Sequence, residues 1–242
     1  VLRNFLPANE HIPQDAPLTV YDRDFWWSDR WDPLAYGREY DFSRPFFAQF
    51  RDLLTVVPVP ARNIVNSVRS DYCDNALDLK NCYLSFELND AENSAYLLRG
   101  EYIKESFDLS EARHTERSYG SFLLDEAYKV FFSVNCAEST EIWFSRNLTG
   151  CSHCFGCVNL RDKSYYIFNA PHTKEEYQKF LREFDSGSYG ALSRMREKAE
   201  EFWTKFPMRY ARAVRVVNST GEHIQRSRNL RRCYVVHESE NL

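Results

Sequence analysis

The sequence predicts a mainly β protein: a β-solenoid of about twelve-residue strand-turn units, with an α-helical insertion and an aromatic N-terminal cap. Three observations carry this. Stepping by twelve meets Tyr83, Ala95, Phe107, Tyr119, Phe131, Trp143 and Phe155, all apolar or aromatic. The position before each holds Cys82, Ser94, Ser106, Ser118, Val130, Ile142 and Cys154, all small or β-branched. Far downstream, Leu230-Arg231-Arg232-Cys233-Tyr234-Val235 repeats Leu79-Lys80-Asn81-Cys82-Tyr83-Leu84. A twelve-residue unit is too short for a helical hairpin. It suits one strand and one turn, stacked so that equal positions form ladders and each coil buries its neighbour's inward face. The rings of the first column are expected to ladder inside that stack.

Residues 1–62 read as an aromatic N-terminal cap with one helix. Trp26, Trp27 and Trp31 stand among Asp22, Asp24, Asp29 and Asp32. They would seal the first coil, because an open sheet edge pairs with other chains unless covered; a cation site or partner anchor is the alternative. Ser43 followed by Pro45 supplies a hydroxyl cap and a ring with preset φ. Phe46, Phe47, Phe50, Leu53 and Leu54 then keep one face apolar until Pro58 and Pro60, which predicts a helix near 43–56.

Residues 63–169 are the solenoid repeats. Residues 170–216 break the period and turn helical. Thr173 and Glu176 make a capping box, followed by Tyr177, Phe180, Leu181 and Phe184 at helical spacing until Asp185-Ser186-Gly187. A second amphipathic stretch carries Leu192, Met195, Ala199, Phe202, Trp203 and Phe206 and stops at Pro207. These helices, near 173–206, are expected on the side or end of the stack. Residues 217–242 resume the repeat, Asn218-Ser219 mirroring Asn66-Ser67. The sequence stops inside a unit, so either another element caps the last coil or the natural protein continues past Leu242.

Composition narrows the function. With 43% hydrophobic and 27% charged residues among 242, a real core is expected and wholesale disorder is not. Net charge is −4 and pI about 5.9, which argues against global attraction to nucleic acid or a membrane surface. No apolar run approaches the roughly 18–20 residues of a membrane span. Seven cysteines, an odd number without a signal segment, fit a reducing, cytoplasmic compartment. Val1 fits a trimmed or processed start.

Trp26-Trp27-Ser28-Asp29-Arg30-Trp31-Asp32-Pro33, Asp41-Phe42-Ser43-Arg44-Pro45, Lys80-Asn81-Cys82-Tyr83-Leu84 and Cys154-Phe155-Gly156-Cys157 together resemble a family. It is a group of uncharacterised cysteine-rich repeat proteins of candidate-phyla bacteria. The resemblance runs from about residue 18 onward and implies an N-terminal zinc ribbon, Asn-Cys-rich repeats and a helical insertion. Where the family has a second Cys-x-x-Cys knuckle before the Trp pair, this chain has Asp22 and Phe25. Phenylalanine cannot ligate zinc, so no ribbon is expected here.

Among chemical candidates, Cys151, Cys154 and Cys157 have the spacing of metal thiolates. The ladder reading is preferred, because Cys154 falls in the column of Cys82 and Ser94. Residues three apart on an extended strand also point to opposite faces. Asp90, Asp108, Asp125, Glu126 and Glu138 recur near expected turns, where solvated carboxylates are ordinary. His114, His153, His223 and His237 form no ligand motif, and no nucleotide or hydrolase motif is present. Between 194 and 232 stand eleven Lys and Arg against four Glu. Arg209, Arg212, Arg215, Arg226, Arg228, Arg231 and Arg232 could therefore grip RNA or DNA. The expectation is a non-enzymatic binding or scaffold protein without cofactor or metal, meeting a protein partner ahead of nucleic acid. Polyanion binding is the alternative, and an enzyme on a solenoid face comes third. Self-association is expected through the open solenoid end.

Overall fold

From Cys73 to Cys157 every third residue is buried, Gly100 alone being half-buried. The residue just before each of them, from Tyr72 to Gly156, has φ between +45° and +66°. The chain therefore bends at every third residue, four times in each twelve. The computed structural model describes residues 18–242 apart from 62; the first 17 positions of the expected cap lie outside the described residues. The protein is mainly β, with a large sheet of parallel strands.

The elements run β1 (Val20–Tyr21), α1 (Arg23–Trp26), α2 (Phe46–Leu54), β2 (Val59–Pro60), β3 (Ile64–Val65) and β4 (Asp74–Tyr83). Next come β5 (Phe86–Lys104), β6 (Phe107–Glu116), β7 (Tyr119–Phe131), β8 (Val134–Trp143), β9 (Arg146–Thr149), β10 (Ser152–Phe155), β11 (Ser164–Ile167) and β12 (Ala170–Pro171). After these stand α3 (Lys174–Glu183), α4 (Tyr189–Trp203), β13 (Ala213–Val214), β14 (Gly221–Gln225) and β15 (Cys233–His237). From β3 to β11 the pairing is parallel, each residue facing its counterpart twelve positions on, as in Leu79↔Ala91 and Ala95↔Phe107. β12 closes the order antiparallel to β11. Among the described residues there are two compact groups, one up to Glu200 and the other Glu201–Leu242.

The left-handed corners explain the outward sequence. Valine, isoleucine and threonine tolerate positive φ worst, and Asn and Asp best among residues with side chains. Val235 is the one β-branched residue with positive φ among those described. Asparagines at corners also bond along the stack: Asn81 Nδ2 to Asn93 Oδ1 at 2.7 Å, and Asn135 to Asn147 to Asn159 at 2.9 Å each.

Inside, the small residues have a hydrogen-bonding task. Ser118 Oγ donates to the Glu116 carbonyl (3.2 Å) and accepts from Val130 N–H twelve residues later (3.0 Å). Ser94, Ser106, Ser133 and Ser145 do the same. Each hydroxyl thus gives a backbone N–H its acceptor, and its own proton goes to carbonyls that also accept a backbone N–H, as Phe131 does from Phe144.

Three expectations need correction. The repeat is not a strand followed by a turn, because the bend is distributed over every third residue. The aromatic column ladders on the outside: Tyr83, Phe107 and Tyr119 are 40–44% exposed. The inside belongs to the column before it. Finally, Ser43 does not cap α2. Pro45 holds that position without a side-chain bond, and the Ser43 hydroxyl bonds Asp41 at 2.6 Å instead. Of the two prolines expected to stop the helix, Pro60 pairs with Tyr21 in the β1–β2 ribbon.

Candidate interaction face

Two neighbouring outward columns make the aromatic face. One holds Tyr83, Phe107, Tyr119, Phe131, Trp143 and Phe155, and the other Tyr72, Tyr96, Phe132, Phe144 and Phe168. Rings meet along it, with Phe131–Trp143 centroids 4.2 Å apart and Phe132–Phe144 5.0 Å. Gly156 stands where a Cβ would come within 2.6 Å of the Phe168 ring, so a glycine there makes room for the next repeat's aromatic.

The face divides. Over the later repeats lies α3, whose capping box of Thr173 and Glu176 fixes its start. Phe180 meets Phe155 edge-on at 4.8 Å, and Phe184 meets Phe155, Phe144 and Trp143 at 5.2, 5.9 and 6.1 Å. From α4, Arg196 sits over Phe132 and Lys198 over Phe168, at 5.0 and 4.9 Å. Phe144 and Phe155 are fully buried as a result. Over the earlier repeats, Tyr72, Tyr83, Tyr96, Phe107 and Tyr119 are 39–55% exposed. A second patch of exposed rings lies on α2: Phe46, Phe47 and Phe50, with Leu54.

Cys151, Cys154 and Cys157 all point inward in one repeat, because the chain bends at each third residue. Residues three apart here share the inner face and do not point to opposite faces, as the extended-strand expectation had them. The neighbouring thiols of Cys151 and Cys157, together with burial, push the Cys154 thiol far above the ordinary range. Each sulfur also reaches the carbonyl two residues back at 3.4–3.5 Å, as the serines do. Among the described residues no group of three or more His, Cys, Asp or Glu is arranged to hold a metal ion. Asp22 caps α1 through Phe25 N–H (2.7 Å), and the Phe25 ring packs on Tyr21.

Trp26 and Trp31 join a cluster with Tyr21 and Tyr36, Trp31 donating its indole N–H to the Trp26 carbonyl at 2.8 Å. Trp27 is 72% exposed and stands outside it. The seven arginines of the basic segment lie in the group Glu201–Leu242. Three are ion-paired: Arg212 to Glu222 (2.5 Å), Arg226 to Glu238 and Arg228 to Glu240 (2.6 Å each). Glu238 and Glu240 lie beyond residue 232, and the twelve-residue register brings them alongside. No ion pair reaches Arg209, Arg215, Arg231 or Arg232 among the described residues.

Asp125 pairs with Arg113 at 2.9 Å, and Glu126 and Glu138 are exposed neighbours in one column. His153 bonds Glu141 at 3.1 Å and stacks on Tyr165, while its Nδ1 and the Tyr177 hydroxyl are buried without a protein partner. Sequence reasoning missed this cluster; the signal available was His153 and Tyr165 recurring twelve apart. No described helix is long and apolar enough to cross a membrane. No protein-family model and no curated protein matches the chain.

Proposed function

We propose that the stacked repeats form a β-solenoid and that the chain is a non-enzymatic binding or scaffold protein, gripping a protein partner through its aromatic face. The observation that carries this is the division of one continuous face into a covered and a bare half. Clustered exposed rings are what partner surfaces are made of, and lone ones are not. A rigid face also binds with little ordering cost. The resemblance to the cysteine-rich repeat family agrees with such a scaffold. The test is a photo-reactive phenylalanine analogue at position 107, with position 113 on another side as control, in cells that produce the protein. Protein adducts from 107 and not from 113 are expected; none from 107, or equal adducts from both, overturns the reading.

The second reading is polyanion binding through Arg209, Arg215, Arg231 and Arg232, favoured by their lack of ion pairs. With four cations, affinity for duplex DNA should fall with a log–log salt slope of about −3.6. A flat salt dependence removes it.

A further inference from the structure

We propose that the bare half of the aromatic face receives helix α2 of a second copy of this chain; the inference rests on the reading of that face as a protein interface. The chain already contains one such contact. Tyr177, Phe180 and Phe184 come up on successive turns of α3. Tyr177 meets Tyr165 and His153 at 5.9 and 6.0 Å, Phe180 meets Phe155, and Phe184 reaches Trp143 and Phe144. Phe184 also lies 5.2 Å from Phe155, so the helix runs along the stack towards earlier repeats with Phe180 and Phe184 both meeting the Phe155 ring. It can do so because a helical turn of about 5.4 Å nearly matches a strand spacing of about 4.8 Å. Beyond the covered part the same two columns continue in the same register as Tyr119, Phe107, Tyr96, Tyr83 and Tyr72.

α2 has the pattern that fits there. Phe46 and Phe50 are four residues apart, as Phe180 and Phe184 are, and their rings stack at 5.7 Å. Phe46, Phe47, Phe50 and Leu54 are 43–80% exposed. Charge agrees as well. The bare columns carry Asp71 and Asp108 and no cation. Arg51 on α2 has no ion pair among the described residues, and would stand to the bare rings as Arg196 stands to Phe132. The two surfaces differ, so the contact is heterologous: each copy offers a helix and a face, and assemblies grow into rings or filaments.

Sedimentation of the full chain from low to high micromolar concentration tests this, with Phe50→Asp and Phe107→Asp as variants and far-UV circular dichroism confirming that both fold. Wild type should rise above 28.7 kDa with concentration. Each variant alone should associate at least about tenfold more weakly. An equimolar mixture of the two should form dimers that stop growing, since each retains the surface the other lost. Wild type that stays monomeric throughout overturns the inference, and so does Phe50→Asp associating as wild type. If position 107 still cross-links a different protein, the reading of the face survives; if it cross-links nothing, both fall.

Discussion

The earlier and later repeats share one backbone, one register and one inner chemistry, and differ in what lies over their aromatic side. Where α3 and α4 cover it, the rings are Phe131, Phe132, Trp143, Phe144, Phe155 and Phe168. Where nothing among the described residues covers it, tyrosine dominates: Tyr72, Tyr83, Tyr96 and Tyr119, with Phe107. A tyrosine presents a large apolar body and keeps its hydroxyl in water, whereas phenylalanine has no such demand. Outer composition thus follows coverage. Inner composition does not, since serine, cysteine, alanine and leucine recur in both halves.

The largest expected difference comes from truncating one ring in each half. Phe155 and Phe107 stand in the same column, four repeats apart. Phe155→Ala removes a fully buried ring from contact with Phe180 and Phe184 and should cost about 3–5 kcal/mol. Phe107→Ala, at 44% exposure, should cost no more than about 1 kcal/mol. Urea titrations measure both; equal losses would mean that α3 does not hold the covered half.

Alkaline titration asks whether the two interiors are equally dry. Burial pushes the Cys136 thiol, under the covered half, from 9.0 up to about 12, and raises Cys82 under the bare half as well. The folded state keeps a proton that the unfolded chain releases above pH 9. That stability is complete below pH 9 and is lost as pH rises towards 12, by at most about 4 kcal/mol for Cys136. Cys136→Ala should flatten the decline between pH 9 and 11, and Cys82→Ala should flatten it in the same direction. A Cys136→Ala slope identical to wild type would mean that water reaches this interior.

The twelve-residue period was legible because equal positions stack and are selected alike. The direction of its side chains was not. Helix and strand templates have periods of 3.6 and 2, and a chain that bends at every third residue matches neither. The signal was present: from Cys73 to Cys157 no third residue is charged. Without it, Tyr83 and Phe107 looked like core and Cys154 merely small. Ser43 misled for a local reason, since Asp41 captured its hydroxyl before any helix N–H could. The bare face was hidden because coverage by α3 depends on how the chain returns after residue 170, which no local pattern encodes.

Serine substitutions sharpen the claim that both halves share one interior. Ser118→Ala leaves the Val130 N–H without its acceptor, and Ser133→Ala does the same to Ser145 N–H, while the Phe131 carbonyl keeps its bond from Phe144 N–H at 3.0 Å. Each should cost about 1–3 kcal/mol by urea titration. Ser118→Cys should cost less, because cysteine fills this role at Cys157, which donates to the Phe155 carbonyl and accepts from Asn169 N–H. A clearly larger loss in one half would show that the cover, and not the inner ladder, sets the strength of the repeat.

The smallest effect belongs to the outer ion pairs, and it tests whether the stack aligns its own charges. Arg113 and Asp125 lie 2.9 Å apart on facing positions, with side chains 61% and 43% exposed. An exposed pair loses most of its attraction to solvent and to the ordering of a long side chain, so a double-mutant cycle should return about 0.2–1 kcal/mol. Here, however, both backbones are fixed one repeat apart, and part of that ordering is already supplied. Arg99, which bonds Glu87 at 2.7 Å and Glu111 at 2.8 Å, spans three repeats and should sit at the upper end of the range. Both couplings should shrink as salt shortens the screening length. If Arg99 couples no more strongly than Arg113, the ladder of charges follows from the register and does not reinforce it.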